Sequence, residues 1–361
     1  MASLLDIPTS SGHLTTDQSM LFSQPEFDYL TTTSVLESNE FSEEAKMILT
    51  IVISIVAIFG LLGNTMVILT VLVFSDMHTL INFSFANLAL TDLALLLLDA
   101  VPTATDTIGW SISAKLGCNV PIYLQYVVLQ VSSLTLAFLS WDRYRLIVKP
   151  IQSLNTRSSK QIHLIVILIW IASFVIQIPA AFVPTISLET GCNEFGLPWG
   201  HGLFFAYATI TLYIIPLIII IPSYTCIALS MTKNSTSVTT KKEDAKRLAQ
   251  RNKTIIWVLI VVIFYIILSL PIHVVHLWMA FDPNVTAQTP LYIEVHTAAN
   301  VLLFINSSVN PYLYAFGGSS FRKHLKDITQ CCCCGVLMLM RKKKRNKSNS
   351  QSDRSMCSTW L

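Results

Sequence analysis

A few polar residues interrupt long apolar stretches of this chain, and their types limit the chemistry that they can perform. Asp92 lies in ANLALTDLALLLL, Asn64 in GLLGNTMVIL and Ser132 in LQVSSLT, while Asn306 and Asn310 lie in FINSSVNPYLY. Carboxylate, amide and hydroxyl oxygens form hydrogen-bonded clusters and also bind small hard cations. The residues alone leave both interpretations open, a structural clasp between helices or a cation site.

A second polar group combines one carboxyl group with amides, imidazoles and a phenol. His273 and His276 are three residues apart, which places them on one face of a helix, and Gln125 adjoins Tyr126. A single histidine in an apolar run is usually a packed core residue, but several polar groups at a similar depth predict a water-filled pocket. The candidate pocket residues are Asp99, Gln125, Tyr126, Gln130, His273, His276, His296 and Asn300.

The third group is the tripeptide Asp142-Arg143-Tyr144, which ends the apolar run LTLAFLSW. Before Asp142 no charged residue occurs back to Lys115, an interval of 26 residues. Such an abrupt change indicates either a buried helix that reaches the protein surface or a membrane-spanning helix that reaches the cytosol.

The elements that position these residues follow from the distribution of charge. The chain has 361 residues, of which 53% are hydrophobic and 12% are charged, whereas a soluble domain carries about 25% charged residues. Crossing a bilayer takes about 20 apolar residues in a helix, and a membrane barrel would need alternating strands that are not seen here. The prediction is an all-α membrane protein with seven transmembrane helices, in the intervals Lys46–Asp76, Asp76–Asp106, Lys115–Asp142, Lys160–Glu189, Glu194–Lys233, Lys253–Asp282 and Glu294–Arg322.

The basic residues predict the orientation, because Lys and Arg accumulate on the cytoplasmic side. All but Lys46 and Lys115 of the 24 Lys and Arg residues fall on the side of the C-terminus, which is therefore expected in the cytosol. The predicted organisation is an extracellular disordered segment (1–45), the bundle (46–320), an amphipathic helix 8 with a cysteine cluster (321–334) and a disordered cytoplasmic tail (335–361). The first 45 residues contain acidic residues but no Lys or Arg, so they are either a solvated tail or a field that attracts a cationic ligand.

The cysteines divide by side of the membrane. Two of them, Cys118 and Cys192, face the oxidising compartment, and we expect a disulfide between them. The cytoplasmic run of four lacks the spacing of a zinc motif and predicts palmitoylation beside the membrane, with RKKKR (341–345) attracting anionic lipids. These four are Cys331, Cys332, Cys333 and Cys334. At the C-terminus, Thr359 and Leu361 fit a PDZ-domain ligand, and the Ser-rich tail could be phosphorylated and recruit arrestin.

In order and spacing, these motifs resemble the class A (rhodopsin-like) G-protein-coupled receptors over residues 47 to about 330. The resemblance implies that Asp142 restrains Arg143 in the silent receptor and that Arg143 turns toward the G protein on activation, supported by Tyr224 and Tyr314. It also implies an allosteric sodium ion and no other cofactor. The matching residues are Asp142, Arg143, Tyr144, Tyr224, Pro271, Asn310, Pro311 and Tyr314 for the switch and Asp92, Ser132, Asn306 and Asn310 for sodium.

Helix 6 departs from the family pattern. Where the family usually has Cys-Trp-x-Pro, this chain reads Leu-Ser-Leu-Pro, with Ser269 in the place of the aromatic switch and Tyr265 in the place of a Phe one turn earlier. The acidic residue expected to pair with Arg143 is Arg251, which would repel it. The absence of this ion pair between Arg143 and an acidic residue of helix 6, called the lock below, predicts appreciable basal activity.

The resemblance also narrows the ligand. Gln125 stands where amine receptors have an Asp, and the last span has no Lys for a retinal Schiff base. IYLQYVVLQVSSLT and ETGCNEF are similar to the kisspeptin receptor group, with galanin and allatostatin-A receptors as neighbours. That implies a basic, C-terminally amidated neuropeptide and Gq coupling, or Gi/o coupling on the galanin-like alternative.

Two other classes of protein fit the sequence less well. A secondary transporter would show related halves, and none are visible. An enzyme would need a nucleophile or metal motif such as G-x-S-x-G or H-E-x-x-H, and the sequence contains neither. No basic groove indicates a nucleic-acid partner.

Overall fold

The structure is a computed structural model that describes residues 42–108, 119–149, 159–182, 185–187, 191–193, 200–234, 242–285, 289–317 and 321–328. Within these residues the chain forms eight α-helices. They are α1 (Glu43–Val73), α2 (Leu80–Asp106), α3 (Asn119–Val148), α4 (Ser159–Ile176), α5 (200–234), α6 (Lys242–Phe281), α7 (Pro290–Gly317) and α8 (321–328).

Two of the helices contain a π turn, which widens the backbone by one residue. In α2 the π turn covers Leu96–Ala100, and in α5 it covers Ile210–Ile214, between Gly200–Thr209 and Ile215–Asn234. A π turn changes the hydrogen-bond partner of its carbonyl groups. In α5, the carbonyls of Thr211 and Leu212 accept hydrogen bonds from Gln130 of α3 and Tyr265 of α6.

Short elements connect the helices. Turns of 3-10 helix cover Ser75–Met77 and Ile178–Ala181. Two strands, β1 (Thr185–Ser187) and β2 (Gly191–Asn193), pair in antiparallel fashion. The sequence predicted no strand here, because three-residue strands leave no periodic pattern to detect.

Local sequence explains where α1 and α2 begin. The Ser42 hydroxyl accepts a hydrogen bond from the Ala45 backbone amide at 3.2 Å, and Glu43 and Glu44 follow in the first turn, where the helix dipole favours negative charge. Thr79 caps α2 in the same way through the Asn82 amide. Helix α1 therefore begins at Glu43, a few residues before the predicted start of the bundle at residue 46, and the described part of α8 covers 321–328.

The helices pack as a closed bundle with α3 at its centre. Helix α3 contacts α2, α4, α5 and α6, while α7 contacts both α6 and α1 and so closes the ring. Helices α1 and α7 approach closely at Gly60, where a Cβ atom would collide with Ser308 and with Leu96 of α2. Small residues at such crossings are typical of helix packing in membranes.

The outer surface of the bundle is apolar. Exposed side chains recur at helical spacing on α1, namely Ile51, Ile55, Phe59 and Leu62, and similar rows occur on α4, α5 and α6. Among the described residues, five helices are long and apolar enough to cross a membrane: α1, α2, α3, the Gly202–Met231 part of α5 and the Ile255–Phe281 part of α6. Helix α4 adds the shorter apolar segment His163–Ile176. The 28 residues of α7 include many polar side chains, which exclude it from that class.

Candidate ligand cavity and cytoplasmic switch

A cavity of about 320 Å³ lies among α2, α3, α5, α6 and α7. Its size falls at the lower end of the range of ligand pockets. The structure brings seven of the eight predicted pocket residues to its wall: Asp99, Gln125, Tyr126, His273, His276, His296 and Asn300.

One wall of the cavity is acidic. The Asp99 carboxylate lies in the π turn of α2, where it accepts hydrogen bonds from Gln125 Nε2 at 2.7 Å and from Thr103 Oγ1 at 3.3 Å. Asp106, seven residues or about two helical turns further on, also lines the cavity. The described lining includes these two acidic residues and no Lys or Arg.

The opposite wall carries three imidazoles and is held by aromatic packing. The His276 ring stacks on Phe205 with centroids 4.3 Å apart and lies 5.5 Å from the ring of His296. His296 in turn stacks on Tyr292 at 5.4 Å, and His273 packs against a tyrosine of α5 at 4.9 Å. The described residues include no group of three metal-binding side chains placed to hold an ion, so this wall is suited to hydrogen bonding and stacking.

The floor of the cavity comprises Ser269, Tyr265 and Leu212. The Tyr265 hydroxyl donates to the Leu212 carbonyl at 2.5 Å, which fixes the phenol across the interface of α5 and α6. Ser269 stands where the related family usually has an indole ring, so the cavity extends down to the Tyr265 ring.

Gln130 is the predicted pocket residue that the structure places elsewhere. Its side chain is 1% exposed and is absent from the described lining of the cavity. Gln130 Nε2 donates to the Thr211 carbonyl at 3.1 Å, and Gln130 Oε1 accepts from Gln177 Nε2 at 2.8 Å. The prediction of a ligand contact is therefore corrected: this amide joins α3 to α5 and to Gln177 after α4.

Sequence reasoning missed six polar residues that line the cavity: Thr103, Asp106, Tyr265, Ser269, Tyr292 and Thr297. A signal for two of them was present, because Ser269 and Tyr292 lie four residues before His273 and His296 and so share their helix faces. It also missed Asn87, whose amide joins three helices by donating to Thr135 and accepting from Trp170 at 2.9 Å each.

The central polar residues meet below the cavity. Asn310 Nδ2 donates to Asp92 Oδ2 at 2.9 Å, and Asn64 Nδ2 donates to the carbonyls of Gly60 and Ser307 at 3.0 Å each. Among the described residues, Oδ1 of Asn310 and Oδ1 of Asn306 are buried without a hydrogen-bond partner. Ser132 lies half-buried on α3. The cluster therefore links α1, α2 and α7 by hydrogen bonds. Its two unpaired amide oxygens are of the type that a hard cation binds.

At the other end of α3, Arg143 is 2% exposed and its Nη2 lies 2.6 Å from Asp142 Oδ2. Tyr144 and Tyr224 lie beside the buried Ile147, Ile227 and Ile255. Tyr314 stacks on Phe85 with centroids 4.1 Å apart, and its buried hydroxyl has no partner among the described residues. Pro271 and Pro311 lie inside α6 and α7.

Several predicted sites lie outside the described residues. Cys118 is one of them, and for Cys192 the structure describes the backbone in β2 but not the side chain. The cysteine run, Thr359 and Leu361 also lie outside, as does the side chain of Arg251. The disulfide, palmitoylation and PDZ assignments stay predictions.

Comparison with known proteins adds independent information. The family model of the seven-transmembrane receptor, rhodopsin family, matches residues 63–314. The chain is similar to G-protein coupled receptor 54 of Oreochromis niloticus, with 31% identity over 76% of each chain. It is 33% identical to human galanin receptor type 1 over 78% of this chain and 81% of that receptor. It is 28% identical to human neuropeptide Y receptor type 2 over 89% of this chain and 84% of that receptor.

Proposed function

The chain belongs to the rhodopsin family of seven-transmembrane receptors, and we propose that it binds an extracellular peptide and activates heterotrimeric G proteins. The predicted seven-helix membrane bundle and the family resemblance are confirmed. The chain is thus a multi-pass receptor of the plasma membrane, and neither an enzyme nor a secondary transporter.

A peptide ligand is supported by the names of the relatives. Galanin receptor type 1 and neuropeptide Y receptor type 2 are named for peptides, and both match this chain over more than three quarters of its length. Gln125 on α3 also lacks the charge that would pair with a small amine.

The observation that carries the proposal is the charge of the cavity. Asp99 and Asp106 line it without a Lys or Arg in the described lining. A ligand that enters must bring either positive or uncharged groups, because a free carboxylate would be desolvated next to negative charge. A basic peptide whose C-terminus is amidated meets this requirement. Our preferred ligand class is a kisspeptin-like neuropeptide with Gq coupling, and the alternative is a galanin- or allatostatin-A-like peptide with Gi/o coupling.

Coupling to the G protein is assigned to the cytoplasmic end of α3. In the silent state Asp142 holds Arg143 by the ion pair described above. On activation Arg143 turns toward the G protein, Tyr224 and Tyr314 support it, and the proline kinks of α6 and α7 serve as hinges. Tyr144 completes the tripeptide at the same end of the helix.

The central cluster is proposed to hold an allosteric sodium ion. Asp92 would supply the negative charge, and Ser132, Asn306 and Asn310 would supply neutral oxygens. A bound cation would neutralise Asp92 in the low-dielectric interior and so favour the state in which the cluster is closed.

The remaining partners concern the membrane and the tail. We place the N-terminus outside the cell and the C-terminus in the cytosol, following the distribution of Lys and Arg. In that orientation a Cys118–Cys192 disulfide lies at the outer face. The palmitoylated cysteines, the arrestin-binding serines and the PDZ ligand then lie in the cytosol.

The test is to record calcium release and cAMP together in cells that express the chain. The cells receive amidated peptides of the kisspeptin, galanin and allatostatin-A types, and Arg143→Ala with matched surface expression is the control. Calcium release by kisspeptin-type peptides that requires Arg143 supports the preferred assignment. A fall in cAMP with galanin-type peptides moves the chain to the alternative, and silence across the panel contradicts the ligand class.

A further inference from the structure

Where the floor of the cavity meets the histidine wall, two buried polar atoms have no hydrogen-bond partner among the described residues. Ser269 and His273 are 2% and 7% exposed, and both line the cavity. Ser269 Oγ and His273 Nδ1 have no hydrogen-bond partner among the described residues. Because the two residues are four apart on α6, their side chains lie on the same face.

Ser269 is unusual among the buried serines of this bundle. A serine in a helix commonly donates to the carbonyl four residues earlier, and Ser84, Ser140, Ser173 and Ser223 all do so at 2.7–3.1 Å. The Ser269 hydroxyl makes no such bond among the described residues, so it remains available to a group that enters the cavity.

The neighbouring aromatic residues pack against these two side chains and make no hydrogen bond to Ser269 Oγ or His273 Nδ1 among the described residues. The His273 ring packs on Tyr213, with centroids 4.9 Å apart. The hydroxyl of Tyr265 donates to the Leu212 carbonyl, so its ring closes the floor and its polar atom is already paired. The family's usual aromatic ring is absent at position 269, which leaves the space above the Tyr265 ring open.

The chemistry of the two atoms selects the group that fits. A hydroxyl both donates and accepts, and a neutral imidazole nitrogen does one or the other, whereas a primary carboxamide offers two N–H donors and one carbonyl acceptor without charge. A carboxylate would meet no cation in the described lining and would lie in a cavity that already contains Asp99 and Asp106.

We propose that Ser269 and His273 form a deep subsite for an uncharged primary carboxamide, the group that ends an amidated peptide. The subsite rests on the proposed function, because it takes the end of the peptide that the cavity binds. The subsite depends on the small side chain at position 269, since an indole ring there would occupy the same space.

The test uses a reporter thiol and needs no identified hormone. Leu303 lines the cavity and is 6% exposed. Leu303→Cys therefore reports occupancy through its rate of reaction with a small neutral thiol reagent, in a background in which the other cysteines outside the expected disulfide are replaced by serine, namely Cys226, Cys331, Cys332, Cys333, Cys334 and Cys357. The probes are N-acetyl-phenylalaninamide and N-acetylphenylalanine at equal millimolar concentration. We expect the amide to be about tenfold more effective at slowing the reaction, which corresponds to about 1.4 kcal/mol.

Matched variants identify the groups responsible. Ser269→Ala and Ser269→Trp should each abolish the preference for the amide, whereas Leu270→Ala should keep it, because Leu270 is 44% exposed on the outer face. Equal protection by the two probes, no protection by either, or an unchanged preference in Ser269→Ala overturns the subsite. These outcomes are independent of the signalling assay, whose silence would contradict the proposed function alone.

Discussion

The π turn of α5 provides a quantitative test of how this bundle is held together. Within Ile210–Ile214, the Leu212 carbonyl accepts from the Tyr265 hydroxyl at 2.5 Å, and the Tyr213 hydroxyl donates to the Ile266 carbonyl at 2.9 Å. Two tyrosines therefore make reciprocal bonds between α5 and α6. The perturbation is Tyr265→Phe, which removes one hydroxyl and keeps the ring that forms the cavity floor.

The expected loss has two parts. Hydrogen bonds between helices in a membrane contribute about 0.6 kcal/mol on average and about 1.7 kcal/mol at most. The Leu212 carbonyl then also lacks its donor inside a buried π turn, which adds a desolvation cost. We therefore expect Tyr265→Phe to lower the free energy of unfolding by about 1–2 kcal/mol. The rings of Tyr213 and Tyr265 contact each other, with centroids 6.2 Å apart, so their contributions to stability are coupled. The variant with both tyrosines replaced by Phe should therefore lose less free energy of unfolding than the sum of the two single losses.

The assay is unfolding of the purified receptor in bicelles by added detergent, monitored by circular dichroism. Tyr312→Phe is the matched control, because its hydroxyl donates to the Phe59 carbonyl at the exposed face of α1 and α7 at 3.2 Å. The control should lose no more than the average of about 0.6 kcal/mol for such a bond. If Tyr265→Phe is as stable as the control, the hydroxyl does not support the π turn and the reasoning fails.

Three further predictions concern the switch, the ion and α8. Arg251→Glu restores the acidic partner that the family usually has, so basal inositol phosphate production in cells should fall, and an unchanged basal signal would contradict the missing lock. Asp92→Asn removes the charge that would hold sodium, so agonist affinity should stop responding to sodium chloride relative to choline chloride; a persisting sodium effect would exclude this site. His324→Gln should speed amide hydrogen exchange in residues 321–328, because His324 Nε2 lies 2.7 Å from Asp76 Oδ2 and its ring stacks on Phe74. The bond from His324 lowers the pKa of Asp76, so this carboxylate stabilises the folded state above its ordinary pKa and loses that contribution as the pH falls below it. In the wild type, protection relative to the intrinsic exchange rate at each pH should therefore stay unchanged from pH 7 to pH 5 on account of Asp76. Equal protection in the variant and the wild type would show that the pair does not anchor α8.

The sequence predicted the spans well because the bilayer excludes charge, and charge is visible in a sequence. The intervals between charged residues correspond to α1 to α7, and the polar positions Asp92 and Asn310 form the predicted cluster. Helix ends were less accurate: α6 begins at Lys242, well before the apolar interval, because a helix can continue beyond the membrane.

The residues that were placed wrongly or missed depend on tertiary structure. Gln130 and Gln125 look alike in sequence, but α3 lies at the centre of the bundle, so the face that each side chain presents depends on which helix packs there. The π turn at Ile210–Ile214 receives hydrogen-bond donors from two other helices, Gln130 of α3 and Tyr265 of α6. No local sequence pattern encodes such donors. Nor does a local pattern show that a serine at position 269, in place of the family's usual tryptophan, makes the cavity deeper.

The central claim is that a peptide in the cavity activates a G protein through Arg143. Its most direct test is peptide-stimulated nucleotide exchange on purified Gq and Gi by the receptor in lipid nanodiscs. Wild type is compared with Arg143→Ala and with Arg145→Ala, whose guanidinium lies 4.8 Å from the centre of the Trp141 ring. We predict exchange with wild type and Arg145→Ala and none with Arg143→Ala. Equal exchange by all three proteins, or no exchange with any peptide of the panel, would contradict the account.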